Sequence, residues 1–257
     1  MRQYSDEMDM LARARTVLEL DVREAVDRRL FYLDYQPIIN AVDGEVAGYE
    51  ALLRWRTATG QMVPPSVFIP VVEDLGLIFA LGEWVLRSAC SEAMRWSHNI
   101  YVSVNVSTAQ LTDPTFVGIV DEILSDTGLA PERLELEITE SMVLDNVVIA
   151  EGILRTLRNH GIGIALDDFG TGFSSLSLVK KLPLTRIKID KSFVDQIGDD
   201  GKSTAVIDAV LALCDGHGLS TTAEGVENSN QQYILTAKGC DCLLYTSDAA
   251  DEGLGVD

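Results

Sequence analysis

Glu50, Asn105, Glu137, the pair Asp167-Asp168, Lys188 and Glu224 each stand at or near the downstream end of a separate apolar run. Carboxylate and amide oxygens are the donors preferred by hard divalent cations such as Mg²⁺ or Mn²⁺. Gathered in one place, with an amine among them, they describe a metal-centred hydrolytic site. His98, His160 and His217 lie in or just after helical stretches and none joins this set, so zinc is disfavoured. Cys90, Cys214, Cys240 and Cys242 have neither metal-ligand nor redox spacing and read as buried thiols.

The elements that must position these groups follow from hydrophobic period. Val102 to Ser107, Leu134 to Ile138 and Arg186 to Asp190 alternate strictly between apolar and polar, the pattern of an extended chain whose successive side chains face opposite ways. An edge strand with its polar face in water would alternate in the same way. A recurring set of carboxylates, an amide and an amine fits a shared site better than random solvated groups do. Between the strands lie helical patterns: Ile149, Ile153, Leu154 and Leu157 ending at Gly161, and Val206, Val210, Leu211 and Leu213 ending before Gly216 and Gly218.

Repeating strand-helix units form either an open doubly wound sheet or a closed barrel, and both place ligands at the carboxyl ends of the strands. The candidate groups come from at least six strands, no glycine-rich dinucleotide fingerprint follows the first strand, and 257 residues suit a single barrel domain. The expectation is an α/β, TIM-like (β/α)8 barrel.

The hydrophobic fraction of 47% supports a sizeable core. A formal net charge of -20 argues against a broad basic surface for a nucleic acid polymer. No apolar run reaches the roughly 20 residues needed to span a bilayer, and no signal peptide opens the chain. The expected compartment is the cytoplasm, without membrane contact by this domain, although a parent protein could be tethered.

The stretch Tyr49-Glu50-Ala51-Leu52-Leu53-Arg54-Trp55 is joined, in order, by Tyr35-Gln36-Pro37-Ile38, Asn105-Val106-Ser107, Glu137-Ile138-Thr139-Glu140, Asp167 to Gly172, Lys188-Ile189-Asp190 and Ala223-Glu224-Gly225-Val226-Glu227. From about Leu20 to Asp241 the chain resembles the EAL-domain cyclic di-GMP phosphodiesterases. The resemblance implies that Glu50, Asn105, Glu137 and Asp167 hold a first divalent ion, that Asp167, Asp168 and Glu224 hold a second, and that Asp167 bridges them. Lys188 resembles the group that orients the nucleophilic water and offsets charge on the phosphorane. Arg54 matches a phosphate clamp, for which a planar donor fork is suited; Gln36 and Leu52 are further substrate contacts. The loop Asp168 to Ser175 resembles one that couples metal occupancy to dimerisation, with Glu140 as its tether and Phe173 where tyrosine is common. Glu227 is expected to support a ligand from behind.

The family continues after Gly239-Cys240-Asp241 with two residues and then Gln-Gly-Tyr, which form the last barrel strand and add a glutamine to the site. Here the chain reads Cys242-Leu243-Leu244-Tyr245-Thr246-Ser247-Asp248. That string resembles the translation of a transposase adapter, TGT CTC TTA TAC ACA TCT, so residues 242–257 are set outside the functional argument. With its native eighth strand missing or replaced, the barrel is expected to expose unpaired edges, although Leu243 to Thr246 could imitate a strand. Residues 31–241 form the expected phosphodiesterase domain. Residues 1–30 are a linker and an amphipathic helix, with Leu18, Val22, Ala25, Val26 and Leu30 at helical spacing. Arg2 to Asp9 resembles the junction that follows a GGDEF domain, so an upstream cyclase or sensor domain is expected in the parent protein.

The function implied is Mg²⁺- or Mn²⁺-dependent hydrolysis of cyclic di-GMP to linear pGpG, by a homodimer. A catalytically silent receptor for the same dinucleotide is the alternative, supported by the altered last strand. A barrel metallohydrolase for another phosphate ester is a third reading, which the ordered motifs oppose.

Overall fold

The computed structural model describes residues 2–57, 59–144, 147–170, 176–198 and 204–246. Nine strands form one sheet: β1 (Phe31–Asn40), β2 (Val46–Arg56), β3 (Met62–Val63), β4 (Tyr101–Asn105), β5 (Leu134–Thr139), β6 (Gly163–Phe169), β7 (Arg186–Ile189), β8 (Ser220–Val226) and β9 (Cys242–Tyr245). Their order is β1-β9-β8-β7-β6-β5-β4-β2-β3, and pairing of β1 with β2 closes eight of them into a barrel. The TIM-like expectation therefore holds, with one departure. β1 runs antiparallel to both of its neighbours, β2 and β9, while the other barrel pairings are parallel. The short Ala41–Glu45 connection makes β1 and β2 a hairpin, for which a helical crossover has no room.

The expectation of open edges is overturned. Cys242–Tyr245 pairs with β8 on one side (Glu224 opposite Leu244) and with β1 on the other (Ile38 opposite Leu244). Parity explains the acceptance. Leu243 and Tyr245 pack into the main core between sheet and helices, while Cys242 and Leu244 turn the other way and cluster with Ile38. Four apolar residues in a row satisfy both faces of a strand buried on each side. Each fully buried leucine contributes roughly 1.5–3 kcal/mol. Residues 247–257 lie outside the described residues, as do Ala58, Asp145, Asn146 and 199–203.

The polar face of β5 is not in water. All of Leu134 to Ile138 is buried, because one face meets the helices and the other fills the barrel interior. Helices form where period 3.6 predicts them, over Val147–Asn159 and Ala205–His217. The second runs through Gly216 and stops at Gly218, whose left-handed φ of 66° caps it. The amino-terminal helix is longer than the apolar spacing suggests, Arg2–Arg28, so the polar stretch Arg2 to Asp9 is helical as well. Its Val22 and Ala25 are fully buried in a satellite core with Phe31, Trp55 and Phe68, whose rings lie 5.5–5.7 Å apart. No helix among the described residues is long and apolar enough to cross a membrane.

Candidate active site

Lys188 is the centre of the barrel mouth. It projects inward from β7, is 1% exposed, and its Nζ lies 2.7 Å from Glu137 Oε2 and 2.7 Å from Glu224 Oε1. Glu50 Oε2 and Asp167 Oδ1 each stand 3.3 Å away. Asn105 joins through Nδ2, which donates to Glu50 Oε1 at 3.0 Å. Six strands thus bring together Glu50, Asn105, Glu137, Asp167, Lys188 and Glu224. Asn105 and Glu137 are neighbours in the β4–β5 pairing, which fixes their spacing by backbone register.

Asp167 and Asp168 would face opposite sides of a regular strand. They do not, because the β6–β7 register shifts between Leu166 and Phe169 and Asp168 adopts a left-handed φ of 53°. Aspartate is among the few residues that tolerate this region, at a cost of about 1–2 kcal/mol. The bulge turns both carboxylates to one side. One ligand atom each from Asp167, Asp168 and Glu224 lies within 4.8 Å of the others. A second register shift follows Glu224, where Gly225 takes φ of 69° and a Cβ would stand 2.4 Å from Lys191 Cγ. Only glycine fits there, and that corner aims Glu224.

When all are ionised, four carboxylates around one ammonium leave three negative charges in excess, and Asp168 adds a fourth. At an effective dielectric of about 20, like charges 4 Å apart repel by roughly 4 kcal/mol. Burial, reinforced by Glu50 and opposed by Lys188, pushes Glu137 up to about 7. Burial likewise pushes Glu224 up to about 8, with Lys188 pulling down and Asp167 pushing up. Asp167 and Asp168 are raised by the same cause. Burial alone would lower Lys188, yet the four surrounding carboxylates hold it well above the ordinary lysine range. The donor set is all oxygen, and its surplus charge equals that neutralised by two divalent cations. The residues present therefore fit such ions.

Beside this ring opens a cavity of about 390 Å³ lined by Glu50, Leu52, Arg54 and Asn105 with an aliphatic wall that includes Ile69, Ile78 and Leu81. Arg54 Nε donates to Asp34 Oδ2 at 3.0 Å and its Nη1 to the Leu53 carbonyl at 3.3 Å, which hold the guanidinium at the rim. Gln36, opposite Glu50 in the hairpin, donates from Nε2 to the Tyr245 carbonyl at 2.5 Å. Glu140 is buried and its Oε1 accepts from the Gly170 amide at 3.0 Å. That contact ties the end of β6 to the helix Glu140–Leu144; Thr171 to Ser175, with Phe173, lie outside the described residues. Glu227 departs from expectation. Its side chain pairs with Lys191 on the exposed surface, and its backbone amide is held by Gln231, so it leans away from the ring.

Strand alternation alone did not single out Ser103, Glu135 and Arg186 as functional. Each lies two residues before a member of the ring and so shares its face, the one signal that could have found them. All four cysteines are buried and free.

The profile of the EAL domain matches residues 19–244. An uncharacterized signaling protein of Caulobacter vibrioides is 47% identical over 256 residues, covering 100% of this chain and 31% of its own length. The bifunctional diguanylate cyclase/cyclic di-GMP phosphodiesterase MucR of Pseudomonas aeruginosa is 39% identical over 243 residues, covering 92% of this chain and 36% of its own. The chain thus spans about a third of the length of these curated relatives. The solved PaMucR phosphodiesterase in complex with c-di-GMP superposes with a TM-score of 0.83 at 38% identity, covering 89% of this chain and 94% of that one. With its barrel, its ordered motifs and these matches, the chain belongs to the EAL domain family.

Proposed function

We propose that this domain hydrolyses cyclic di-GMP to linear pGpG with the help of two divalent cations. The observation that carries the reading is the convergence of Glu50, Glu137, Asp167 and Glu224 on Lys188 at the mouth of the barrel. Glu50, Asn105, Glu137 and Asp167 would hold one ion, and Asp167, Asp168 and Glu224 the other, with Asp167 shared. When bound, Mg²⁺ or Mn²⁺ ions supply Lewis acidity that makes water a better nucleophile and eases negative charge on the phosphate.

The protein does the rest by position. Lys188 Nζ, held rigidly by buried partners, orients the attacking water and offsets charge as phosphorus becomes five-coordinate. Water oxygen bonds to phosphorus and gives up a proton to the surrounding solvent, while the bond to the ribose 3′-oxygen breaks and that oxygen takes a proton from solvent, leaving as a hydroxyl. Arg54, braced by Asp34, grips a substrate phosphate with its planar donors. The aliphatic side of the cavity, with Leu52, shelters a guanine face, and Gln36 contacts the ligand from the hairpin. Glu140 keeps the loop after β6 close to the aspartates through Gly170. Pairing of two copies, and an upstream GGDEF or sensor domain in the parent protein, belong to the same reading.

The test is incubation of the purified chain with cyclic di-GMP and Mn²⁺, followed by chromatography of the products. Linear dinucleotide supports hydrolysis. Leu244 in the polar ring favours a second reading, a silent receptor, for which binding without turnover would speak. Neither binding nor turnover overturns both.

A further inference from the structure

Beneath the ring of ligand candidates, one step deeper along each strand, the barrel holds a second polar layer of Ser103, Glu135, Arg186 and Thr222. Ser103 and Thr222 are fully buried and Glu135 is nearly so. Ser103 Oγ lies 2.6 Å from Glu137 Oε1 and 3.3 Å from Glu135 Oε1. A hydroxyl has one proton to donate, and here two carboxylates face it. The shorter contact has the length of a charge-assisted bond; the longer does not.

Arg186 explains the choice. Its Nε donates to Glu135 Oε2 at 3.0 Å and its Nη1 to Thr222 Oγ1 at 3.1 Å, while the guanidinium stacks 5.2 Å from the centre of the Tyr101 ring. Glu135 is thereby satisfied from the far side, and the Ser103 proton goes to Glu137. With Oε1 pinned from below, Glu137 presents Oε2 to the mouth of the barrel, where it meets Lys188 at 2.7 Å.

We propose that Ser103, and Arg186 acting through Glu135, are positioning residues that fix the Glu137 carboxylate for divalent-cation binding; this rests on the hydrolytic reading above. Residues that orient a metal ligand from behind typically change metal affinity ~10–100-fold when removed.

Calorimetric titration of Mn²⁺ into the full chain, alongside cyclic di-GMP turnover and thermal melting, tests it. Ser103→Ala should weaken Mn²⁺ binding ~10-fold or more, whereas Ser103→Thr, which keeps the hydroxyl, should bind close to wild type. Arg186→Met should weaken binding comparably and cost nothing further in the Ser103→Ala background, because both act on one bond. Should Arg186→Met unfold with Glu135 left uncompensated, Glu135→Gln/Arg186→Met removes both charges and should restore near-wild-type Mn²⁺ affinity. Unchanged affinity in Ser103→Ala overturns the proposal. Additive losses in the Ser103→Ala/Arg186→Met variant, or a Glu135→Gln/Arg186→Met protein as weak as Ser103→Ala, overturn the part assigned to Arg186. A wild-type chain that shows neither Mn²⁺ binding nor turnover defeats the hydrolytic reading itself. Intact wild-type behaviour with an indifferent Ser103→Ala defeats only this inference.

Discussion

Leu244 stands directly across from Glu224 in the parallel pairing of β8 with β9, an aliphatic side chain in a ring otherwise made of carboxylates, an amide and an amine. Its neighbours inside the barrel are Ile38 and Cys242, so it is comfortable where it is and contributes nothing polar to the mouth. The family pattern places a glutamine there. Leu244→Gln should raise kcat/KM for cyclic di-GMP on the order of 10-fold, since one well-placed hydrogen bond to a buried polar group is worth about 1.5 kcal/mol. Steady-state kinetics decide it, and a lower kcat/KM would show that the leucine is not a defect.

Removal of β9 is a harsher change. A chain ending at Asp241 leaves the edges of β1 and β8 unpaired and removes the fully buried Leu243 from the core. It should melt at lower temperature and elute as aggregate in size-exclusion chromatography. A monomeric truncated form with unaltered melting would mean that the eight-strand closure is dispensable.

Asp167→Ala and Lys188→Ala should separate binding from chemistry. Loss of the shared carboxylate should reduce turnover on the order of 1000-fold or more and weaken Mn²⁺ binding. Loss of the amine should lower kcat about 100-fold or more with a much smaller change in substrate affinity. Binding by calorimetry and single-turnover chromatography provide the two readouts. Near-normal turnover in the Asp167 variant would refute a shared ligand. Ca²⁺ should inhibit the wild-type protein, because its larger and looser coordination disturbs the geometry of the attacking water.

The pH dependence has a definite sign. Glu137 at about 7 and Glu224 at about 8 are protonated below those values and charged above them. For an acid whose folded value is raised, the associated stability is fully present below the ordinary value of 4.5 and is lost as pH climbs from there to about 7 to 8. The cation-free protein should therefore melt at lower temperature as pH rises through that range. Cations bind the carboxylate form, so Mn²⁺ affinity should increase over the same range and uptake near neutrality should release protons. Calorimetry in two buffers of different ionisation enthalpy measures the released protons directly; equal heats in both would contradict it.

Gly225→Ala tests the corner behind Glu224. A Cβ would stand 2.4 Å from Lys191 Cγ at a φ of 69°, so the side chain of Lys191 must move and the backbone is strained. A cost of about 1–2 kcal/mol in denaturant melts is expected, with a larger relative loss of turnover as Glu224 shifts.

Much of this arrangement was legible in the sequence because alternation and parity are local. Val102–Asn105, Leu134–Ile138 and Arg186–Ile189 each announce a strand with chemistry on one face. What alternation cannot announce is a break in itself. Consecutive aspartates predict opposite faces, and nothing in their identity reveals that Asp168 turns left-handed and brings both to one side. Parity also cannot distinguish water from a polar barrel interior, so alternation gives no sign that Glu135 and Arg186 are turned inward. Glu227 failed for a different reason. After the Gly225 bulge the strand no longer keeps step, and a surface lysine captures its carboxylate. Cys242–Tyr245 closes the barrel although it lacks the motif of the family's last strand. Sheet edges accept any segment whose apolar pattern fits both sides.

The reversed first strand decides where the polypeptide comes in. Phe31 lies opposite Trp55, near the carboxyl end of β2, so β1 begins at the rim where the ligand candidates gather and descends from there. In a barrel of uniformly parallel strands the incoming segment would reach the opposite floor. Here the long helix Arg2–Arg28 delivers it to the working end, with Arg15 bonded to Asp74, the residue next to cavity-lining Glu73. A displacement or rotation carried by that helix would arrive at the mouth of the barrel without crossing the molecule.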